Sequence, residues 1–354
     1  MTAIAVTVDD LDATFVGDAL GHPGEVRGVT ATRIGTGQVA LSLRLDIAWA
    51  DGPAAGRPAT VIAKIPAPEA ASREAARLHR TYHLEVGFYR DVSPMVSVPH
   101  PRALHAEIDA ASGDFTLLME PAPGAVGDQL AGCTVAQATA MVDAAVGLHA
   151  PTWDRVGELG VLDWLPTPDP SMLEVRVAAY RALLPGFVDR FSSRLDGEVI
   201  DAARWLGDHL VDVASAYRSP FCLTHGDYRL DNLLFASTAS GGSTVTVLDW
   251  QTVAFGRGAV DIAYGLGSGL LPDDRRQHEA ELVDRYVDGL VDAGVGCVPD
   301  DVRRDHRLGT VSGLGMAVIA SQLVAPTERG DEMFAVMAER HARQMTDNDV
   351  YSLV

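Results

Sequence analysis

One stretch constrains what this chain can fold into more than any other. Residues 223–235, LTHGDYRLDNLLF, are followed by a Ser/Gly-rich turn and by residues 245–251, VTVLDWQ. Apolar, β-branched runs flank a polar loop, so the spacing predicts two strands with the loop set before the first and an aspartate ending the second. His225 opens the loop, Asp227 comes two residues on, Arg229 two further and Asn232 three beyond that, in the pattern H-x-D-x-[KR]-x-x-N. A carboxylate at Asp227 can accept a proton from an attacking hydroxyl, or orient it. An amide oxygen at Asn232 and the Asp249 carboxylate are hard oxygen donors suited to magnesium, which takes few protein ligands. Arg229 offers a planar fork that bridges phosphate oxygens. His225 completes the catalytic set by bracing the loop through backbone hydrogen bonds. These groups in this order suit phosphoryl transfer, which asks little covalent chemistry of a protein and much positioning.

On these residues the chain resembles the aminoglycoside phosphotransferase, choline kinase and ecdysteroid-kinase-like superfamily of small-molecule kinases. HGDYRLDN followed by LDWQ is most similar to its bacterial phosphotransferase branch. The resemblance implies an α+β, bilobal, protein-kinase-like fold. An N-lobe of antiparallel sheet plus helix would span residues 1–120, and a mainly helical C-lobe with the catalytic loop, metal site and acceptor region would span 121–354. It further implies ATP as donor, with GTP left open, Mg2+ on Asn232 and Asp249, and transfer of the γ-phosphate to a hydroxyl of a small molecule. A second reading keeps the fold and removes the chemistry, as a nucleotide-binding regulatory module. A protein kinase ranks last, because Asp249-Trp250-Gln251 stands where D-F-G would be and no A-P-E signature follows.

Composition sharpens one position. Of 28 basic residues 27 are arginine, and the single lysine is Lys64, in the apolar run ATVIAKI. A lysine that survives such replacement is one that arginine cannot replace, and a compact ammonium on a strand is suited to the α- and β-phosphates of a nucleotide. Before it, residues 26–34, 39–48 and 60–65 read as three antiparallel strands. The turn IGTGQVA between the first two contains Gly35 and Gly37; it reads equally as an ordinary hairpin turn or as a loop over phosphates. Residues 7–20 predict a leading helix capped by Thr7.

Residues 72–90 predict a helix carrying Glu85, which the resemblance makes the acid that orients Lys64, with Glu74 as its rival. Two further strands, 102–108 and 115–119, lead to Met119-Glu120-Pro121-Ala122-Pro123-Gly124. There the resemblance places an adenine-binding hinge; Pro121 has no N–H, so a neighbour such as Ala122 would donate. Residues 135–148 and 170–217 predict helices, the latter broken at Pro185-Gly186 and at Asp196-Gly197. The resemblance makes Asp261 a tie for the catalytic loop, a helix N-cap being the plainer reading. Gly265–Gly269 reads as a helix terminus, residues 275–346 as two or three closing helices, and Arg303–Arg307 as a solvated basic face.

A net charge of −20 disfavours nucleic acid and anionic membrane surfaces as partners. Three distant cysteines, no basic-apolar leader and no run near the roughly 20 apolar residues of a membrane helix predict a cytoplasmic protein. Residues 121–354 carry −15 of the charge, which fits a cationic acceptor, and Trp153, Trp164, Trp205 and Trp250 fit an apolar alcohol as well. The acceptor stays a small-molecule hydroxyl, and the oligomeric state stays open.

Overall fold

Strand pairing organises the first part of the chain. The computed structural model describes residues 4–35, 39–52 and 56–354, and the chain divides into two compact units. Unit 1 holds residues 1–96, 100–123 and 248–253, and unit 2 holds 97–99, 124–247 and 254–354. The segment 248–253, with Asp249 and Trp250, therefore clusters with unit 1 although the division at residue 120 assigns it to the second part.

In unit 1 a short helix α1 (Ala13–Ala19) precedes strands β1 (Val26–Ile34), β2 (Ala40–Trp49) and β3 (Thr60–Pro66). Helices α2 (Ala70–Leu78) and α3 (Thr81–Gly87), a π-helical turn Phe88–Val92 and strands β4 (Ala103–Ile108) and β5 (Phe115–Met119) complete it. The sheet is antiparallel with order β1-β2-β3-β5-β4. Alternating residues of β2, Leu41, Leu43, Leu45, Ile47 and Trp49, join Val61, Ala63 and Ile65 of β3 and Phe15 and Val16 of α1 in one apolar core. The period-2 pattern thus places its apolar face inward.

Two expectations in this unit are corrected. Thr7 does not cap a helix: Asp10 Oδ2 takes the N–H groups of Val6 and Thr7 and the Thr7 hydroxyl into a local turn. Such side-chain turns compete with helix, and α1 starts later under Asp12, which accepts from the Phe15 N–H. Residues 72–90 are not one helix either. Arg80 takes a left-handed backbone, φ 55°, and splits the run into α2 and α3, so Glu74 and Glu85 lie on different helices.

Unit 2 begins with the short strand β6 (Ala125–Val126) and helix α4 (Val135–Thr152), whose start is closed by a Thr134/Gln137 capping box. Helices α5 (Val156–Leu159), α6 (Ser171–Phe191) and α7 (Gly197–Ala216) lead to β7 (Cys222–Thr224), a 3₁₀ turn Leu230–Asn232, β8 (Leu233–Ser237), β9 (Ser243–Val247) and β10 (Ala254–Gly256). The chain closes with α8 (Gly258–Gly269), α9 (Pro272–Asp292), α10 (Pro299–Gly309), α11 (Val311–Leu323) and α12 (Glu328–Asp347). Strands pair β6-β8-β9 and β10-β7.

Four helices stand after residue 271 where the pattern predicts two or three, because the chain breaks at Thr310, directly after Gly309, between α10 and α11. Pro185 does not end α6: Phe187 and Phe191 are fully buried beyond it. Burying two phenylalanines contributes more than the roughly 3 kcal/mol a helical proline costs. The basic run 303–307 is only partly solvated. Asp305 and His306 are buried, and Asp305 accepts from the backbone N–H groups of Arg218 and Ser219.

Candidate functional site

Lys64 lies mid-sheet on β3, opposite Ser42 on β2 and Leu117 on β5. Its ammonium donates to Glu85 Oε1 at 2.5 Å and to Asp249 Oδ1 at 3.5 Å. Glu85, on α3, is fully buried, and its other oxygen takes a hydrogen bond from Gln251 Nε2 at 3.3 Å. Burial alone lowers the Lys64 pKa, but the Asp249 and Glu85 carboxylates outweigh it and hold the ammonium above its usual range. Glu85 is pushed up by burial more than Lys64 pulls it down. Glu74, 79% exposed, faces Arg77 on the surface of α2 and has no part in this cluster.

Asp249 carries a left-handed backbone, φ 62°, which a residue with a Cβ adopts at a cost of about 1–2 kcal/mol. The next residue holds it there. Trp250 is fully buried and stacks on Phe88 with 3.6 Å between ring centroids and 6° between planes. Phe88 directly follows α3, so one aromatic pair seats both the Glu85 helix and the Asp249 turn.

In unit 2 the polar loop follows β7. Gly226 has φ 81°, a conformation that favours glycine, and the loop backbone is tied from outside. Asp261, in the first turn of α8, accepts from the N–H groups of His225 at 2.6 Å and Gly226 at 3.1 Å. His149 lies between Asp261, at 3.3 Å, and the Tyr286 hydroxyl, at 2.8 Å. Asp261 is not the cap of α8, whose N-cap position is Arg257. At the other end of the loop Gln129, fully buried, accepts from the Leu230 N–H at 3.1 Å and donates to the Ser268 carbonyl.

Around Asp227 four groups converge. Arg229 Nε donates to both carboxylate oxygens at 3.1 Å, Asn232 Nδ2 to Oδ2 at 2.9 Å, and the Tyr264 hydroxyl to Oδ1 at 2.8 Å. His225 Nδ1 accepts from the Asp227 N–H at 3.3 Å. Burial raises the Asp227 pKa, but Arg229 and the Tyr264 hydrogen bond outweigh it, so the carboxyl is held below the usual carboxylate range. Arg229 Nη1 is engaged by Asp231 at 2.5 Å and by Met333 Sδ at 3.3 Å. Among the described residues Nη2 has no partner. Both donors of Asn232 go to Asp227, its carbonyl included, which leaves the amide oxygen without a partner among the described residues.

Oxygen donors of the Asn232 and Asp249 kind suit magnesium, which takes few protein ligands. Among the described residues no three His, Cys, Asp or Glu side chains cluster to hold a metal unaided.

Of the remaining predicted residues, Gly35 follows β1 with φ 68°, and Gly37 lies outside the described residues. Met119 ends β5 and is buried, paired with Ile62 and Ala103. The Glu120 N–H donates to the Arg102 carbonyl and its carboxylate pairs with Arg102, so that amide is spent. The Ala122 N–H has no partner among the described residues. Sequence reasoning missed Tyr264, Gln129 and Gln251 as supports. Tyr264 left a trace, one helical turn beyond Asp261; Gln129 left none.

The model of the phosphotransferase enzyme family matches residues 49–296, well over half of the chain. The chain belongs to the phosphotransferase enzyme family. As a member it is a small-molecule kinase. No curated protein matches the sequence significantly. Solved structures similar to this phosphotransferase include a choline kinase from Cryptosporidium parvum Iowa II, with TM-score 0.57 and 9% identity over 91% of this chain and 89% of that one. An ethanolamine kinase from Plasmodium vivax has TM-score 0.53 and 13% identity over 100% and 92%. The spectinomycin phosphotransferase APH(9)-Ia, in complex with ADP and spectinomycin, has TM-score 0.50 and 11% identity over 90% and 94%. At these identities the likeness shows the fold, which is the bilobal α+β kinase-like one.

Proposed function

We propose that this phosphotransferase moves the γ-phosphoryl group of ATP, with magnesium, to a hydroxyl of a small molecule. The observation that carries the reading is Asp227: a carboxylate on a loop tied at both ends, ionised, and aimed by Arg229, Asn232 and Tyr264. A module that only sensed nucleotide would have no use for it. In this reading Lys64, aligned by Glu85, binds the α- and β-phosphates, and Ala122 offers its N–H to the nucleotide base. Asp249 and Asn232 are the residues that would hold Mg2+, which would supply neutralising positive charge to the nucleotide phosphates.

Asp227 accepts a hydrogen bond from the acceptor hydroxyl and so points its oxygen at the γ-phosphorus. A carboxylate held below its usual range is a weak base, and it takes the proton late, as the P–O bond to the hydroxyl forms. A loose transition state asks for no stronger base. Arg229 Nη2 reaches the transferring group.

Neighbours named for choline, ethanolamine and spectinomycin are a reason to try amine-bearing alcohols first as acceptors, and the charge of −20 suits them. The test is a thermal-shift screen with Mg-ATP and Mg-GTP, then ADP or GDP release over amino alcohols, amino sugars, macrolides and steroids. Stabilisation by Mg-ATP with acceptor-dependent ADP release is the expected result; nucleotide binding without turnover on any alcohol would replace the enzyme by the sensor.

A further inference from the structure

We propose that Tyr264 is a positioning residue that fixes the orientation of the Asp227 carboxylate, an inference that rests on the role given to Asp227 above. Helix α8 reaches the catalytic loop twice. Asp261 holds the backbone N–H groups of His225 and Gly226, and one turn later the Tyr264 hydroxyl holds the carboxylate itself.

Asn232 takes Oδ2 and Tyr264 takes Oδ1, with Arg229 Nε shared between the two oxygens. A carboxylate with a donor on each oxygen cannot rotate about its Cβ–Cγ bond without losing one. Arg229 and Asn232 belong to the same loop as Asp227, and each has a second duty, to phosphate or to cation. Tyr264 is the donor that comes from outside the loop and has no other duty.

Its seat is rigid. Tyr264 is buried, and its ring stacks on His341 of α12 with centroids 5.6 Å apart and planes at 23°. The His341 ring in turn fills a slot that only glycines leave open. A Cβ on Gly313 would lie 1.9 Å from its Nε2, and one on Gly267 would lie 2.5 Å from its Cε1. Its Nδ1 meets Gln344 Oε1 at 3.0 Å, while Gln344 Nε2 donates to the Ala263 carbonyl, next to Tyr264. Burial lowers the His341 pKa to about 4, so no cation stands behind the Tyr264 ring at neutral pH. Donors that need no reorganisation at the moment of reaction are the ones that lower a barrier.

The test compares wild type, Tyr264→Phe and Asp227→Asn. Phenylalanine keeps the buried ring and removes the hydroxyl. Mg-ATP turnover is followed by ADP release, with water and with alcohols as acceptors, across pH, and Mg-ADP affinity is measured alongside.

Tyr264→Phe should lower kcat about 10- to 100-fold, the effect of one hydrogen bond to a charged group. Mg-ADP affinity and the KM for nucleotide should be unchanged, so that the loss falls on kcat alone. His341→Asn, which unseats the ring but keeps the hydroxyl, should show a smaller fall in kcat, again with Mg-ADP affinity unchanged. A Tyr264→Phe loss that falls on Mg-ADP affinity or nucleotide KM rather than on kcat would overturn the inference. So would wild-type kcat in Tyr264→Phe beside an inactive Asp227→Asn. Full turnover by Asp227→Asn would instead sink the phosphotransfer reading.

Discussion

A lysine ammonium leaves water only against opposite charge, and Lys64 has two carboxylates within 3.5 Å, one fully buried and one 41% exposed. Three groups share that space, with Gln251 on the far oxygen of Glu85. A guanidinium is wider and planar, and would have to displace one of them. Lys64→Arg should therefore abolish the thermal stabilisation by Mg-ATP and cut turnover at least about 100-fold, while circular dichroism stays that of wild type. Glu85→Gln tests the other half of the pair. It leaves Lys64 charged but unaligned, and should raise KM for nucleotide and lower kcat about 10- to 100-fold. Asp227→Asn keeps the shape of the side chain and removes its charge, and should cost about 10³-fold or more in kcat with nucleotide affinity retained. Lys64 was legible because the chain uses arginine at every other cationic position; Tyr264 was not, since a tyrosine three residues beyond an aspartate reads like any helix-core aromatic.

Helix breaks separate what pattern predicts from what packing decides. Residues 72–90 read as one helix on propensity, and the left-handed Arg80 turns the chain so that Glu85 enters the interior while Glu74 stays in water. Conversely α6 runs through Pro185 because its last turns bury Phe187 and Phe191. The glycine run 265–269 lies in the last turns of α8, where a Cβ on Gly265 would approach Met141 and the Tyr228 carbonyl at 3.0–3.1 Å. It serves close packing. The Trp250–Phe88 stack is the contact on which the Asp249 turn depends, so Trp250→Ala should destabilise unit 1 by about 3–5 kcal/mol, read from chemical denaturation, and weaken magnesium-dependent nucleotide binding.

A buried polar cluster joins the closing helices of unit 2. Glu279 of α9 takes Arg275, His306, Gln344 and Asn348, and burial is outweighed by these partners, which lower its pKa to about 2. Its contribution to stability is present above its unfolded value near 4.5 and is lost as pH falls through about 2. His341, lowered from 6.5 to about 4, acts in the same direction. The unfolded chain takes its proton first, so stability declines as pH falls from 6.5 to 4. Each effect amounts to about 3 kcal/mol. Unfolding free energy should therefore fall steadily from pH 6.5 to 2, and Glu279→Gln should flatten the part below 4.5. Retention of that slope in the variant would mean other carboxylates carry it. The five strands of unit 1 and the kinase-like architecture were readable from residue order, since strand periodicity and the spacing of His225, Asp227, Asn232 and Asp249 are local properties of the chain. Which acid meets Lys64, what holds Asp227 in place and which unit Asp249 joins were decided by tertiary structure alone, because each depends on side chains from distant segments meeting in a desolvated space, and no local pattern encodes such a meeting.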